Sequence, residues 1–165
     1  MRFFYCEKSP PRYSDQVFRH NDMNTLRTLA RLPRNERALF FRALLVVVFM
    51  RLGLWVLSFE RMQQMTKSKP GLDSEFNLPI PRLVWAVQAA SRRVPAASCL
   101  TQSLSLHYLL NRAGYDSQIR IGVAKEPNAA FGAHAWVEYE GEPLLSTVKE
   151  VEQYVGVLVV ENETA

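Results

Sequence analysis

Residues 98–114 decide the fold and read SCLTQSLSLHYLLNRAG. Ser98 is a residue type that caps helices, and Gly114 stands where a left-handed residue commonly ends one. Between them, apolar side chains recur at four-residue spacing and give the segment one apolar face. The pattern predicts a helix over residues 99–113, with Cys99 in its first turn.

The chain on either side of this helix has two different characters. Four later runs alternate between apolar and polar residues in the manner of strands, at 118–124, 133–139, 142–148 and 155–160. Upstream, the apolar pattern and the prolines predict helices over 36–65 and 81–93. Helices followed by a small antiparallel sheet make an α+β domain.

The composition is that of an ordinary folded domain with a small appendage: 165 residues, 48% apolar and 22% charged. The two cysteines, Cys6 and Cys99, are too few for a disulfide framework, and the three histidines show no metal-ligand spacing. We therefore expect no metal and no other cofactor. The first 35 residues lack the apolar core of a secretory signal, so a cytoplasmic location is expected.

Charge is distributed unevenly along the chain. Residues 1–70 carry 13 Lys and Arg against 5 Asp and Glu, whereas residues 71–165 carry 7 against 11. The basic residues are dispersed and accompany no nucleic-acid-binding motif, so no nucleic acid partner is expected. The segment TKSKPG at 66–71 is typical of a linker and predicts a helical N-terminal extension at 1–69 and a core domain at 70–165.

An apolar stretch of 22 residues at 38–59 raises the question of a membrane. Arg42 and Arg51 lie inside it, nine residues apart and therefore on opposite sides of a helix. Either would cost about 2.5–3.5 kcal/mol at the centre of a bilayer. We therefore expect one long helix packed against the rest of the protein. Attachment to a membrane surface is the lesser alternative, and a membrane span is the least favoured.

Cys99 is the candidate nucleophile because it begins the predicted helix. The positive end of the helix dipole and the N–H groups of the first turn favour a thiolate, and the same groups can hold an oxyanion. Such a cysteine needs a base within hydrogen-bond reach. His107 lies about 12 Å further along the helix and is expected to be a partly buried structural residue. His134, which stands at the head of the strand at 133–139, is the better candidate.

The order of these parts resembles one known family. The segments SCLTQSL at 98–104, LLNRAG at 109–114, IGV at 121–123 and AHAWVE at 133–138 resemble the lasso-peptide biosynthesis B2 proteins, which are transglutaminase-like cysteine proteases. The resemblance covers about residues 80–147. It implies a papain/transglutaminase-like core, in which a helix carrying the cysteine precedes a small antiparallel sheet carrying the histidine.

The resemblance also implies an activity, which is cleavage of a precursor peptide between its leader and its core. Carried onto this sequence, Cys99 is the nucleophile and His134 is the general base and acid. The family usually has an Asp twelve residues after the histidine, and this chain has Ser146 there. Glu150 is a nearby acid that is an alternative partner for His134.

The hairpin after His134 decides which residue faces its imidazole. A three-residue loop at 139–141 places His134 opposite Ser146, and a two-residue loop at 140–141 places it opposite Thr147. In either case a side-chain hydroxyl faces the imidazole. A serine can accept the Nδ1–H bond and keep the right tautomer, but it offers no charge to stabilise the imidazolium.

Partners also follow from the resemblance. It implies a separate B1 protein that binds the leader and docks on this chain, and an ATP-dependent lasso cyclase as a further partner. The basic N-terminal half and the apolar face of residues 38–59 are the candidate docking surfaces. Two other functions stay open: a thiol acyltransferase or amidase of the same fold, and a weak or inactive scaffold that presents precursor to the cyclase.

Overall fold

The computed structural model describes residues 33–66, 78–124, 132–146, 151–152 and 154–160. These ranges contain, in chain order, α1 (Arg34–Val56), α2 (Phe59–Thr66), α3 (Ile80–Ser91), α4 (Cys99–Arg112), β1 (Ser117–Ala124), β2 (Ala133–Tyr139), β3 (Glu142–Pro143) and β4 (Tyr154–Val160). Helices precede an antiparallel sheet, so the predicted α+β class is confirmed. The predicted division between residues 1–69 and 70–165 falls at positions outside the described residues and stays a prediction.

The strands form one antiparallel sheet in the order β3-β2-β1-β4. Along β1 and β2, Gly122 lies opposite His134 and Ile121 lies opposite Ala135. On its other edge β1 pairs with β4, and the register shifts between Ile121 and Gly122. The strand that carries the candidate histidine and β4 are therefore both aligned on β1.

An apolar core joins the helices to the sheet. Its fully buried side chains come from all four helices and from β1 and β2 and include Phe40, Val47, Met62, Leu83, Val87, Leu104, Leu109, Ile119 and Val137. Burial of each large apolar side chain stabilises the fold by about 1.5–3 kcal/mol. α4 contacts α1 and α3 as well as β1 and β2. This packing fixes the helix that begins at Cys99 against the strand that carries His134.

The helix predicted over residues 36–65 is two helices. The chain turns at Leu57, whose φ of −110° and ψ of 153° are extended, and α2 begins at Phe59. Gly53 permits the close approach of the two helices, because a Cβ atom there would lie 2.4 Å from the Sδ atom of the buried Met62. The prediction of a continuous helix was therefore wrong at this corner.

α1 packs against the core on one face only. Its buried side chains are Leu39, Phe40, Ala43, Val47 and Met50. Large apolar side chains on the opposite side are exposed, and we call them the apolar face of α1: Phe41, Leu45, Phe49, Leu52, Trp55 and Val56. Among the described helices, α1 is the one that is long and apolar enough to cross a membrane, and 28% of its most apolar window is buried. The expected packing against the rest of the protein is confirmed for the buried face of α1 and is not observed for its apolar face.

The hairpin from β2 to β3 has the shorter of the two predicted turns. Glu138 pairs with Pro143, and the two turn residues have positive φ angles of 52° at Glu140 and 82° at Gly141. Positive φ at both positions is the type I′ geometry, which matches the twist of the flanking strands. The strand predicted over 142–148 is wrong for residues 144–146, which form a bend after β3, although the Leu144 N–H still donates to the Val137 carbonyl at 2.9 Å.

His107 is fully buried, which corrects the expectation of partial burial. Its Nδ1 atom lies 2.9 Å from Ser117 Oγ, and its Nε2 atom lies 3.1 Å from Asn111 Nδ2. Asn111 Nδ2 also donates to the Thr66 carbonyl at 3.2 Å. Since the Asn111 amide donates to Nε2, Nδ1–H donates to Ser117. The network ties α4 to the end of α2 and the start of β1, so His107 has a structural role.

Acid is expected to destabilise the protein through His107. Burial lowers the pKa of His107 from 6.5 to about 4, and the charge of Asp116 offsets part of this effect. Below pH 6.5 the unfolded chain takes up a proton that the folded protein does not, until the pH falls to about 4. The free energy of unfolding should therefore fall by about 3 kcal/mol over this interval. Denaturant titrations at a series of pH values measure the loss.

The matched control is His107→Gln, whose side chain hydrogen-bonds but does not titrate. The free energy of unfolding of this variant should therefore not show the fall of about 3 kcal/mol that is attributed to His107. If His107→Gln and the parent protein lost the same stability between pH 6.5 and pH 4, the buried histidine would not be its source.

Candidate active site

Cys99 stands at the first position of α4, where the sequence predicted it. Ser98 caps the helix: its Oγ accepts the Thr101 N–H at 3.3 Å, and its carbonyl accepts the Gln102 N–H at 3.0 Å. Helices leave their first N–H groups without an intrahelical acceptor. The N–H groups of Cys99 and Leu100 precede those that Ser98 takes, so they point out of the helix end beside the thiol. The Cys99 side chain is a free thiol and half-buried.

A hydrogen bond links the cysteine helix to the histidine strand. Ser103 Oγ donates to the Ala135 carbonyl at 3.0 Å, and both residues are buried. Ser103 is one helical turn after Cys99 and therefore lies on the same side of α4. Ala135 directly follows His134. The helix of Cys99 and the strand of His134 therefore make contact. The contact lies one helical turn from Cys99 and one residue from His134.

His134 makes a hydrogen bond with the residue at the family's usual acid position. Its Nε2 atom lies 2.7 Å from Ser146 Oγ, and Ser146 is 5% exposed. The two residues meet although the ladder register alone would bring Thr147 opposite His134, because residues 144–146 bend away from regular pairing. The nitrogen involved is Nε2, not the Nδ1 expected from the sequence. Glu150, the alternative partner, lies outside the described residues.

Two aromatic rings stack with the imidazole of His134. The Tyr154 ring lies 5.3 Å away at an interplanar angle of 29°, and the Trp136 ring lies 6.0 Å away at 17°. Trp136 is buried, and its Nε1–H donates to Glu138 Oε1 at 2.8 Å. Glu138 also forms an ion pair with Arg120 on β1. The sequence does not single out Tyr154, whose place depends on the pairing of β4 with β1.

Among the remaining candidates, His107 belongs to the buried network described above. Cys6 and His20 are outside the described residues. In the ranges that the structure covers, no three His, Cys, Asp or Glu side chains are grouped so that they could hold a metal ion.

The geometry defines a class of protein: an α+β domain with a cysteine at a capped helix N-terminus and a histidine on the adjoining sheet. Residues 44–159 match the family model of the transglutaminase-like superfamily. That match covers more than half of the chain, and the protein belongs to this superfamily. No curated protein matches the chain, and no solved structure matches it. The superfamily includes cysteine proteases and acyltransferases, so its fold is one of thiol acyl-transfer chemistry.

Proposed function

We propose that this protein is the leader peptidase of a lasso-peptide pathway in the cytoplasm, cutting the precursor between leader and core. The observation that carries the proposal is the hydrogen bond between His134 and Ser146. His134 lies on β2, the strand that adjoins the helix of Cys99. The bond supports an oriented imidazole on β2, the strand whose Ala135 carbonyl accepts a hydrogen bond from Ser103 of the cysteine helix. The resemblance of residues 98–138 to the B2 proteins supplies the substrate class.

The first half of the proposed reaction transfers the leader to the enzyme. The Cys99 thiolate attacks the carbonyl carbon of the last leader residue, and the oxyanion is held by N–H groups of the first turn of α4. The carbon–nitrogen bond then breaks, and the protonated His134 gives its proton to the departing amine. The core peptide leaves with a free amino terminus, while the leader remains as a thioester on Cys99.

The second half releases the leader by hydrolysis. His134 takes a proton from a water molecule, and the resulting hydroxide attacks the thioester carbonyl. The carbon–sulfur bond breaks, and the leader departs with a carboxylate. In this assignment Nε2–H donates to Ser146 Oγ, so Nδ1 is the nitrogen that accepts and returns the proton. The amine released on the core is the group that an ATP-dependent cyclase joins to an acidic side chain.

We propose that a separate leader-binding protein brings the precursor to this chain and docks on the apolar face of α1. That face exposes Leu45 by 71% and Leu52 by 58%, and exposed apolar patches of this kind commonly mark interaction surfaces. The cleavage assay is therefore run with and without the leader-binding protein. Tight binding of the leader by this chain alone would argue against the division of labour.

Ser146→Ala is expected to lower kcat/KM for precursor cleavage by about tenfold, which is far less than loss of the nucleophile. The substitution removes the hydroxyl that lies 2.7 Å from Nε2, so the imidazole loses its oriented partner. A neutral hydrogen bond contributes about 0.5–1.5 kcal/mol, which corresponds to an effect of this size. Steady-state cleavage kinetics with a purified precursor measure it.

Ser146→Asp is the matched variant, because it restores the residue type that the family usually has at this position. A carboxylate there would stabilise the imidazolium, so activity at or above that of the parent protein is expected. If Ser146→Ala abolished cleavage as completely as loss of Cys99, Ser146 would have a larger role than orienting His134. If it had no effect on kcat/KM, the hydrogen bond would not serve catalysis.

A second candidate function is a scaffold that presents the precursor to the cyclase without cutting it. The observation that favours it is the neutral Ser146 in the position where the family usually has an acid. An acyltransferase or amidase of the same fold differs from the peptidase only in what resolves the thioester. Mass spectrometry separates the three: a leader ending in a carboxylate indicates the peptidase, a leader joined to an amine the transferase, and an uncut precursor the scaffold.

A further inference from the structure

The exposed side of α1 carries apolar residues with a seven-residue repeat. Successive members of one row are separated alternately by three and four residues, and all of them are apolar and exposed: Ala38, Phe41, Leu45, Val48, Leu52 and Trp55. We call this row the heptad stripe. In the usual notation abcdefg, its members occupy positions a and d in turn, beginning with Ala38 at a. Apolar residues at a and d have the spacing by which one helix packs along another.

The buried side chains of α1 occupy the opposite heptad positions. Those that pack in the core lie at b, c and f, and they are Leu39, Phe40, Ala43, Val47 and Met50. Phe49 and Val56, the members of the apolar face of α1 that do not belong to the heptad stripe, lie beside it at position e. α1 therefore has two packing surfaces. The surface at b, c and f is used within this chain, and the surface at a, d and e has the spacing for a second helix.

The charged side chains that border the heptad stripe are all basic. Arg37 and Arg51 lie at g and Arg42 lies at e, the positions on either side of a and d. The Cζ atom of Arg51 lies 5.7 Å from the ring centroid of Trp55, which is a member of the stripe. Glu36, the one acidic residue of α1, lies at f and forms an ion pair with α3. The stripe thus has a positively charged border on both sides.

This border argues against a second copy of the chain as the occupant of the heptad stripe. In a parallel pair of helices, a residue at g faces the residue at the next e of the other helix. Two copies of α1 would therefore set Arg37 of one against Arg42 of the other. No orientation of two copies brings an arginine at e or g opposite a carboxylate at e or g, because α1 has no acidic residue at these positions. The border suits an occupant with acidic residues, and the seven-residue repeat, which a lipid surface does not require, suits a helix.

We propose that the heptad stripe binds a helix of the leader-binding protein, and that this helix has apolar residues at a and d and acidic residues at e and g. The inference rests on the proposed function for the identity of the partner, and it adds the chemistry by which that partner is recognised. Apolar side chains of the partner helix cover Leu45 and Leu52, and its carboxylates face the arginines of the border. In the core α1 contacts α4. A partner on the stripe is therefore one helix away from the helix that begins at Cys99.

Two synthetic peptides test the chemistry of the occupant without any cleavage. Each is three heptads long with leucine at every a and d position, and the two differ in having glutamate or lysine at e and g. Fluorescence anisotropy measures the binding of each labelled peptide to this protein. The glutamate peptide is expected to bind at least about tenfold more tightly than the lysine peptide at low salt, and the ratio should fall at high salt. Equal affinities, or binding of neither peptide, would overturn the proposal.

Reversing the charge of the border should reverse the preference between the peptides. In Arg37→Glu/Arg51→Glu, the lysine peptide is expected to bind more tightly than the glutamate peptide, by about threefold or more. The control is Arg61→Glu/Arg92→Glu, which makes the same change in net charge at exposed positions outside α1 and should keep the parent preference. Circular dichroism establishes whether both variants are folded. An unchanged preference in Arg37→Glu/Arg51→Glu, or an equal reversal in the control, would contradict the proposed role of the border.

The leader-binding protein itself is the second probe. Leu45→Gln/Leu52→Gln removes two exposed apolar side chains and should weaken the binding of the leader-binding protein to this chain by about tenfold or more. Isothermal titration calorimetry measures the two affinities. Equal binding by the parent protein and this variant would overturn the inference even if the protein proved to be a peptidase. Weakened binding in a protein that cuts no precursor would support the inference and remove the proposed function.

Two further measurements on the same variant test the other occupants. The proposal expects that the parent protein, without its partner, is a monomer and does not float with vesicles of phosphatidylcholine and phosphatidylglycerol. Flotation of the parent protein that is lost in Leu45→Gln/Leu52→Gln would assign the heptad stripe to a lipid surface and overturn the proposal. A parent dimer in analytical ultracentrifugation that becomes a monomer in this variant would assign the stripe to a second copy and would overturn it as well.

Discussion

Replacing Cys99 by alanine is expected to abolish cleavage of the precursor, lowering kcat/KM by about 10³-fold or more. The thiol is the atom that bonds to the substrate carbonyl in the proposed reaction, and neither the helix N-terminus nor His134 can replace it. Cys99 is half-buried at the surface end of α4, so removing its sulfur should leave the fold intact. Cleavage of purified precursor in the presence of the leader-binding protein, followed by mass spectrometry, measures the loss.

The matched control is Cys6→Ala, which removes the other cysteine of the chain. It should cut at the rate of the parent protein, and circular dichroism should show that both variants are folded. Cleavage by Cys99→Ala at the parent rate would end the protease proposal. Loss of cleavage in Cys6→Ala and Cys99→Ala alike would point to a role for both cysteines that the proposed mechanism does not contain.

Replacing His134 by alanine is expected to lower kcat/KM by about 10²–10⁴-fold. The imidazole accepts the thiol proton, donates it to the leaving amine and activates the water, so three steps lose their proton carrier. The variant also loses the hydrogen bond to Ser146 and the stacking with Tyr154. The same cleavage assay measures the effect. The rate at which Cys99 reacts with iodoacetamide at neutral pH should fall with it, since the thiolate loses its imidazolium partner.

His20→Ala is the control for His134→Ala, because His20 has no role in the proposed mechanism. It should keep the parent rates of cleavage and of thiol alkylation. If His134→Ala lost cleavage but its Cys99 reacted with iodoacetamide as fast as before, the histidine would act on the substrate and not on the thiol. If it kept both rates, His134 would not be the base.

The parts of the fold that the sequence predicts well are those with local signals. The helix at 99–112 has its cap at Ser98 and its terminator at Gly114, whose φ of 86° is left-handed as expected. The strand at 133–139 has the predicted bounds, and the turn at Glu140 and Gly141 ends it. Each signal involves residues a few positions apart, so it can be interpreted without knowing the tertiary packing.

The errors come from contacts between distant residues. The corner at Leu57 depends on Met62 fitting beside Gly53, and nothing in the apolar run itself indicates a break. Glutamate rarely adopts a positive φ, so the presence of Glu140 gives little indication of the type I′ turn in which it lies. The complete burial of His107 depends on Thr66 and Ser117, which belong to other elements.

The candidate site likewise contains residues that local patterns predict and one residue whose place depends on contacts between distant parts of the chain. Cys99 and His134 were selected from helix and strand patterns, and the roles assigned to them stay predictions. Contact between His134 and Ser146 was anticipated, although it arises from a bend after β3 and involves the other ring nitrogen. Tyr154 was missed because its contact with His134 depends on the pairing of β4 with β1, which no local pattern indicates.

The reactivity of Cys99 tests the central claim most directly. In a Cys6→Ser protein, which leaves Cys99 as the single thiol, the rate of iodoacetamide alkylation is measured at pH 6.5 in the folded state and in urea. A thiolate paired with His134 should react at least about tenfold faster in the folded protein than in the unfolded chain. Alkylation no faster than in the unfolded chain, or only after unfolding, would contradict the proposed active site.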